Sequence, residues 1–289
     1  MEQIKIGIGV SSIGRFLPLI GKAAGFFERQ HIAAEVVNQQ DEEKIVDDIV
    51  SGATPVGTPN APSLIFSLLG GNDLVIVGGV LNVPAFFLAA NRSITGIADL
   101  RGRRVGINQP RRMAGMVMLA LLRGWGFDTE RDLTLVDFGL NDRSLEALRE
   151  NQLDAALLPP EKAFLAEAEG CHVIADSFDL DFHWVPLATT RQFLSANRDL
   201  VTRIAGVYVD SIRFFRNHAE DTLKEISHWL PAVAKTPGVL EKCYHLFAGR
   251  FEQSLTPSLS SISSILKEVA LQDPRADDIK AESIIEQVL

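Results

Sequence analysis

The stretch RRVGINQPRRMAGMVMLALLRGWGF, Arg103 to Phe127, contains the unit from which this chain is built. The β-rich run that ends at Ile107 predicts a strand, and apolar residues at helical spacing from Met113 predict a helix. A loop between a strand and a helix lies in front of helix N–H groups and the positive end of the helix dipole, where proteins bind anions. Phosphate-binding loops have glycines there, whereas this loop has the sequence NQPRR. The NQPRR sequence predicts a loop that faces an anion with large and charged side chains.

The same order of elements occurs twice, about 100 residues apart. KIGIGV followed by LPLIGKAAGFFE resembles RVGINQ followed by MVMLALLRGWGFDTE in strand, polar loop, helix and Gly-Phe ending. A second pair, VVNQQDEEKIVDDIVSGATPVGTPN and LVDFGLNDRSLEALRENQLDAALLPPE, repeats strand, helix, tight turn and strand. The repetition predicts two α/β lobes of similar plan; the alternative is one continuous doubly wound sheet.

Two segments that begin with Val-Pro flank the second repeat. NVPAFFLAAN and WVPLATTR each continue into an apolar strand, as expected where a chain crosses into a second lobe and returns. Beyond Arg191 the pattern is almost wholly helical, and Thr256-Pro257 predicts a cap and first-turn proline for the helix SLSSISSILKEVAL. We expect these helices to pack on the first lobe.

Composition limits the possible partners. A net charge of −9 disfavours nucleic acid and anionic membranes, which select basic surfaces. The longest apolar runs are too short to span a membrane. Cys171 and Cys243 match no metal spacing and no disulfide framework, so buried thiols are favoured, although a pairing of the two stays open. No basic and apolar leader precedes the first strand, which fits either a cytoplasmic protein or the mature form of an exported one.

Four stretches carry a resemblance to a known family: PLIGKAAGFFERQHIAAEVV, SITGIADLRGRRVGI, LEALRENQLDAALLPPE and QFLSANRDLVTRIAGVYVDSIRFFRNHAEDTLKEI. The whole chain resembles the periplasmic substrate-binding proteins of ABC importers, in the nitrate/sulfonate/thiamine-pyrimidine branch. ADLRGRRVGI is the most specific match, because the family has Asp-Leu-Lys-Gly-Lys before the first strand of the second lobe.

The resemblance implies a type II periplasmic-binding-protein clamshell, with the ligand held between two lobes and a helical C-terminal region packed on lobe one. Residues 1–85 and 187–289 are predicted to form lobe one, and residues 86–186 lobe two. The implied partners are a small-molecule ligand and an ABC permease, and the implied protein is a periplasmic monomer without a cofactor. The alternative is a cytoplasmic enzyme or ligand sensor on the same fold.

Candidate ligand residues follow from the rule that open α/β sheets bind ligands at the carboxyl ends of their strands. Loops at that edge carry polar residues, and aromatic residues near it could line a cleft for an aromatic ligand. Ordinary turn chemistry and core packing are the competing explanations for any single residue. The predicted ligand-binding residues are Ser11, Ser12, Thr58, Asn60, Asn82, Gln109, Arg111, Arg112, Phe138 and Trp184.

Arg111 and Arg112 are the most informative of these residues. A cation at a helix start opposes the helix dipole by up to about 1 kcal/mol, so two arginines there require an explanation. One interpretation is a planar contact with the carboxylate or sulfonate of an organic ligand larger than nitrate. The other is that both side chains are solvated or paired with surface carboxylates.

No catalytic chemistry is indicated. GIGVSSIG is close to a dinucleotide-binding loop, but the second strand ends in Asn38 and two glutamines, without the acidic residue that holds a ribose. The six histidines show no metal spacing, and no carboxylate pair suggests acid–base work. Desulfinases and pyrimidine synthases of this fold use cysteines at cleft loops, and neither cysteine here lies in such a loop. We therefore expect a solute-binding protein; a decarboxylase-like or desulfinase-like enzyme is the minor alternative.

Overall fold

A computed structural model describes residues 1–9, 12–39, 41–139 and 141–289. Ten strands lie within these ranges: β1 (Glu2–Gly9), β2 (Ile32–Gln39), β3 (Val56–Thr58), β4 (Leu74–Leu81), β5 (Phe87–Ala90), β6 (Arg104–Ile107), β7 (Thr134–Asp137), β8 (Ala155–Leu158), β9 (His172–Asp176) and β10 (Val185–Thr190).

Helices follow most of the strands and form the C-terminal region. The α-helices of the described ranges are α1 (Leu17–Ala23), α2 (Phe26–Arg29), α3 (Glu42–Ser51), α4 (Ala61–Leu69), α5 (Met113–Gly124), α6 (Asn141–Arg149), α7 (Pro160–Ala168), α8 (Arg191–Ala196), α9 (Arg198–Asn217), α10 (Ala219–Trp229), α11 (Pro231–Ala234), α12 (Val239–Arg250) and α13 (Leu259–Ala270). No helix in these ranges has the length and apolar character that crossing a membrane requires.

The strands form two separate five-stranded sheets, in the orders β2-β1-β3-β10-β4 and β7-β6-β8-β5-β9. The chain divides into two units that contain one sheet each. Unit 1 comprises Met1–Val83, Asp181–Pro231 and Tyr244–Leu289, and unit 2 comprises Pro84–Leu180 and Ala232–Cys243. Two sheets, and not one continuous sheet, confirm the prediction from the internal repeat.

The two sheets share one plan. In unit 1, β1 pairs in parallel with β2 and β3, and β10 runs antiparallel between β3 and β4. In unit 2, β6 pairs in parallel with β7 and β8, and β5 runs antiparallel between β8 and β9. Along the chain, β5 of unit 2 directly follows β4 of unit 1, and β10 of unit 1 directly follows β9 of unit 2. The two Val-Pro segments therefore lead into β5 and β10, as their position predicted.

The sheet of unit 1 is covered by helices on its faces. All eight residues of β4 are buried, as expected for a strand covered on both faces. The C-terminal helix α9 packs on α1, where a Cβ added to Gly21 would lie 2.5 Å from the Ser211 hydroxyl oxygen. Helix α13 contacts α4. The expectation that the C-terminal helices pack on the first lobe is confirmed for these elements.

Gly25, in the predicted Gly-Phe ending of the first helix, has a left-handed φ of 71° and separates α1 from α2. Two local predictions differ from the structure. Helix α13 is capped by Ser258, whose hydroxyl accepts the Ser261 N–H at 3.2 Å, so Thr256-Pro257 precedes the helix and does not begin it. The segment Ala232–Cys243 groups with unit 2, whereas the predicted division placed all of 187–289 in lobe one.

Candidate functional site

In unit 1, most of the predicted ligand residues lie at one edge of the sheet. Thr58 ends β3, Asn60 follows it, and Asn82 follows β4. Trp184 precedes β10, and because β10 runs antiparallel, its start lies at the edge where β3 and β4 end. Ser12 follows β1 and begins a short 3₁₀ turn, Ile13–Arg15. Ser11, also predicted, lies outside the described residues.

Backbone hydrogen bonds join three of these segments. The Trp184 N–H donates to the Leu81 carbonyl at 3.1 Å, and the Trp184 carbonyl accepts from the Ala61 N–H at 3.1 Å. The Trp184 side chain is buried. The end of β4, the start of β10 and the first turn of α4 therefore form one connected surface at the carboxyl edge of the sheet.

The Asn82 side chain has a structural role at this edge of the sheet. Its side-chain amide donates to the Thr256 carbonyl at 2.9 Å, and its side-chain oxygen accepts from the Ser258 N–H at 3.0 Å. These two bonds fix the chain just before α13. Its amide group is thus committed to the backbone, and a ligand contact would have to compete with those bonds.

A buried ion pair organises the same edge and was missed in the sequence. Arg15 and Glu42, with side chains 3% and 7% exposed, approach to 3.0 Å. The Arg15 guanidinium also donates to the Thr58 carbonyl and to the side-chain oxygen of Asn60. The second carboxylate oxygen of Glu42 accepts the Asn60 N–H at 3.1 Å. The pair therefore holds the loop between β3 and α4 at both its backbone and its side chain.

The ion pair explains why the Asn60 side chain does not cap α4. Asn60 occupies the N-cap position with extended backbone angles, but its side chain makes no capping hydrogen bond. Its oxygen accepts from Arg15 instead. The sequence shows an arginine in the first loop and a glutamate 27 positions later, but no local pattern indicates that the two residues form a pair.

In unit 2, the loop that opened the sequence analysis is fixed from the neighbouring strand. Gln109 has a left-handed φ of 38°, and its N–H donates to the Asp137 carboxylate at 3.2 Å. The same carboxylate oxygen accepts the Gly139 N–H at 2.8 Å. Asn108 is buried, and its side-chain oxygen accepts the Ser144 hydroxyl at 2.8 Å. Asp137, at the end of β7, thus ties together the loops after β6 and β7.

The two arginines stand at the start of α5. Arg112 is the N-cap residue and is half-buried, while Arg111 is exposed. The Arg112 N–H donates to the Gln109 carbonyl at 2.9 Å, and its own carbonyl accepts the Met116 N–H at 2.9 Å. The first turn of α5 contains no acidic residue. Both arginine residues therefore lie at the start of this helix, where its dipole is positive.

The aromatic residues of unit 2 divide into two groups. Phe138 is half-buried in the loop after β7, and its N–H donates to the Ile107 carbonyl at 3.3 Å. Phe178 packs edge-on against Phe87, and Phe87 contacts Phe164. Phe87 is buried in the core, whereas Phe164 and Phe178 are half-buried; Phe138 lies beside the Gln109 loop.

The two cysteines are separate free thiols. Cys171 is only half-buried, whereas Cys243 is fully buried. Burial raises the pKa of both thiols, most strongly for Cys243. A nucleophilic cysteine requires a lowered pKa, so neither environment favours thiolate chemistry. No cluster of His, Cys, Asp and Glu suited to a metal ion occurs among the described residues.

Solved structures share this fold over almost the whole chain. The periplasmic aliphatic sulphonate-binding protein SsuA of Escherichia coli superposes with a TM-score of 0.83 at 16% identity, covering 99% of this chain and 97% of that one. The alkanesulfonate-binding protein SsuA of Xanthomonas axonopodis pv. citri, bound to MOPS, gives 0.77 at 16% identity with 99% of each chain covered. The periplasmic nitrate-binding protein NrtA of Synechocystis PCC 6803 gives 0.77 at 14% identity, covering 99% and 86%.

These likenesses establish the periplasmic-binding-protein fold for the two α/β units. No curated protein sequence is significantly similar to the chain. The sequence profile described as NMT1/THI5 like matches residues 16–222, and the chain belongs to that family. The resemblance drawn from the sequence is confirmed at this level.

The Arg15–Glu42 pair generates a stability prediction. Replacing Glu42 by Gln leaves a buried guanidinium without its counter-charge, which is expected to lower the free energy of unfolding by about 3–5 kcal/mol. Urea unfolding measures the change. The matched control is Glu35→Gln, which breaks the exposed Lys5–Glu35 pair and should cost about 0–1 kcal/mol. Equal losses in the two variants would contradict the role given to the buried pair.

Gly115 generates a second prediction, for the loop in unit 2. A Cβ there would lie 2.3 Å from the Gln109 carbonyl oxygen and 2.6 Å from that of Asn108. Gly115→Ala should therefore displace the loop and cost about 1–3 kcal/mol in thermal or urea unfolding. Gly124→Ala, at the other end of α5, meets nothing within 4 Å and should be neutral or stabilising by up to about 1 kcal/mol. If Gly115→Ala unfolds at the same temperature or urea concentration as the wild type, the loop is not packed on the helix.

His183 generates a prediction for the pH dependence of stability. Complete burial lowers the pKa of its imidazole from 6.5 to about 3. Below pH 6.5 the unfolded chain binds a proton that the folded protein excludes, so stability falls as the pH falls through this window. Between pH 7 and pH 5 the wild type should lose about 2 kcal/mol relative to His183→Phe. Urea unfolding at both pH values tests this, and a constant difference between the two proteins would refute it.

Proposed function

We propose that this protein binds a small organic anion, a carboxylate or sulfonate with an apolar or aromatic body, and delivers it to an ABC importer. The proposal is for capture and release of a solute without chemical conversion. The observation that carries it is the pair of arginine residues at the start of α5, on a loop fixed by Asp137 at the carboxyl edge of the unit 2 sheet.

Charge is the first argument for this ligand class. Arg112 is half-buried at the positive end of α5, where the dipole and the guanidinium repel each other by up to about 1 kcal/mol. A bound carboxylate or sulfonate interacts favourably with both, and its planar or forked oxygens suit the donor geometry of a guanidinium. We assign the ligand's acid group to the arginines of unit 2, because both lie at a helix start in the loop after β6.

Relatives of the same fold support the class of ligand. The Escherichia coli and Xanthomonas proteins are sulfonate-binding, and the Synechocystis protein is nitrate-binding. In this chain the loop with Gln109 and two arginines, and Phe138 beside it, favours an anion larger than nitrate. Apolar contacts with the ligand body would contribute about 25 cal/mol for each Å² buried.

The same proteins of known structure support the proposed location of this protein and its proposed partner, an ABC permease. The Escherichia coli and Synechocystis proteins are periplasmic. We accordingly assign this protein to the periplasm, as a monomer that meets an ABC permease. A strain without the gene is expected to lose high-affinity uptake of the bound acid while keeping uptake through other routes.

Calorimetry of arginine variants tests the ligand assignment. A thermal-shift panel of acetate, lactate, benzoate, ethanesulfonate, MOPS and nitrate identifies the acid to use. Arg111→Ala and Arg112→Ala are then titrated with it, and loss of a charged contact that is buried on binding should weaken affinity by about 2–5 kcal/mol. Arg112→Lys should recover part of the loss, since it keeps the charge but not the forked geometry.

Arg123→Ala is the matched control, because Arg123 is exposed in the last turn of the same helix. It should bind as the wild type does. Wild-type affinity in both the Arg111 and Arg112 variants would overturn the assignment of the charge to this loop. Failure of every acid in the panel to bind would overturn the ligand class.

A further inference from the structure

A groove on the surface of unit 1 lies between α2 and the last turns of α9. Its volume is about 580 Å³, and its lining includes Phe26 and Arg29 from α2, Arg213 and Phe214 from α9, and His218, the C-cap of α9. All of these residues belong to unit 1. None of them is a predicted ligand residue, and the proposed function gives this groove no role.

Aromatic and cationic side chains form one continuous stack along the groove. The Phe214 ring stacks on the His218 ring at 4.3 Å between centroids and meets the Phe26 ring edge-on at 5.8 Å. The guanidinium carbon of Arg29 lies over the Phe26 ring, 4.3 Å from its centroid. Both phenylalanine side chains are half-buried and thus keep part of their ring surface in water. Aromatic residues and arginine are the residue types in which protein interfaces are enriched, so this composition favours a docking surface.

The charges that line the groove favour an acidic partner. Arg29 and Arg213 line it together with one carboxylate among the described residues, that of Asp210, which lies 3.4 Å from the Arg213 guanidinium. Arg29 donates to the Ala24 carbonyl at 3.2 Å, and no ion pair joins it to a carboxylate within the described part of the chain. The chain as a whole has a net charge of −9. A local excess of guanidinium groups on an acidic protein attracts a negatively charged partner and disfavours a basic one.

The stacked guanidinium of Arg29 is suited to bind a carboxylate. One flat face of the group lies over the Phe26 ring, and this contact leaves the N–H groups at its edge as donors. One of these nitrogens is held by the Ala24 carbonyl. The others can donate charge-assisted hydrogen bonds to a carboxylate. Because the ring contact already orders this long side chain, less conformational entropy is lost when a partner binds.

The shape of the groove favours a protein segment over a small solute. Small-molecule sites bury most of the surface of their ligand. Here Arg29, Arg213, Asn217 and His218 are all exposed, so the lining does not enclose a ligand. A protein segment can place one side chain on the rings and its carboxylates near the arginines while its chain continues across the surface. The Asn217 amide offers a donor and an acceptor to the backbone of such a segment.

We infer that this groove is a docking surface for an acidic segment of a partner protein that carries an aromatic or large apolar side chain between its carboxylates. Phe26 and Phe214 contact that side chain, and Arg29 and Arg213 contact the carboxylates on either side of it. The inference goes beyond the proposed function and does not depend on the class of solute, because the groove shares no residue with the loop before α5.

NMR titration of the whole chain with a synthetic peptide tests the inference. The probe is Ser-Glu-Asp-Trp-Glu-Asp-Ser with both ends blocked, and two control peptides replace its four acids by lysine or its tryptophan by serine. The probe should bind about tenfold more tightly than either control. Arg29→Glu and Phe214→Ala should each weaken its binding about tenfold, because they remove the cation or the ring surface. Lys267→Glu makes the same charge change at an exposed residue of α13 and should bind as the wild type does.

Several results would overturn the docking surface. Equal binding of the probe and either control peptide removes its chemical basis, and wild-type affinity in both Arg29→Glu and Phe214→Ala removes its location. Binding to phosphatidylglycerol vesicles without binding to the probe would assign the groove to a membrane surface instead. Should Phe214→Ala not fold, the wild-type spectrum decides. Amide shifts at Phe214 and His218 on adding the probe support the groove, and shifts confined to other elements overturn it.

Discussion

The backbone pairing of β10 between β3 and β4 is the constraint on which unit 1 depends. Among the residues that the structure describes, strand β4 has no other partner strand in the sheet, and β10 links it to β3. Since β10 follows the last strand of the unit 2 sheet, the sheet of unit 1 is completed late in the sequence. Strand β5 occupies the corresponding place between β8 and β9, although it is the first strand of its sheet along the chain. Each sheet therefore contains one antiparallel strand that directly follows a strand of the other unit along the chain.

This pairing also determines the edge at which chemistry is concentrated. An antiparallel strand begins where its parallel neighbours end, so the start of β10 brings Trp184 and His183 to the loops after β3 and β4. The Asn82 amide then anchors the segment before α13 to the same edge. Residues that are about 120 positions apart in the chain thus become neighbours through one strand.

Each unit has arginine residues at the carboxyl edge of its sheet. Unit 1 buries an arginine with its own carboxylate partner, which keeps the loop between β3 and α4 in place and neutral. Unit 2 fixes its loop with Asp137 and presents Arg111 and Arg112 at a helix start.

Local pattern in the sequence determined the strands, most helices and the two-lobe plan, because hydrophobic periodicity reports which face of an element is buried. It also located the carboxyl-edge loops, since they lie where strands end. Only the tertiary structure decided the Arg15–Glu42 pair, the commitment of Asn82 to the backbone, the cap of α13 by Ser258 and the unpartnered ring of His183. Each of these depends on contacts between residues far apart in the chain or on complete burial. Local pattern does not record either, because a side chain's partners and its access to water are set by which elements pack together.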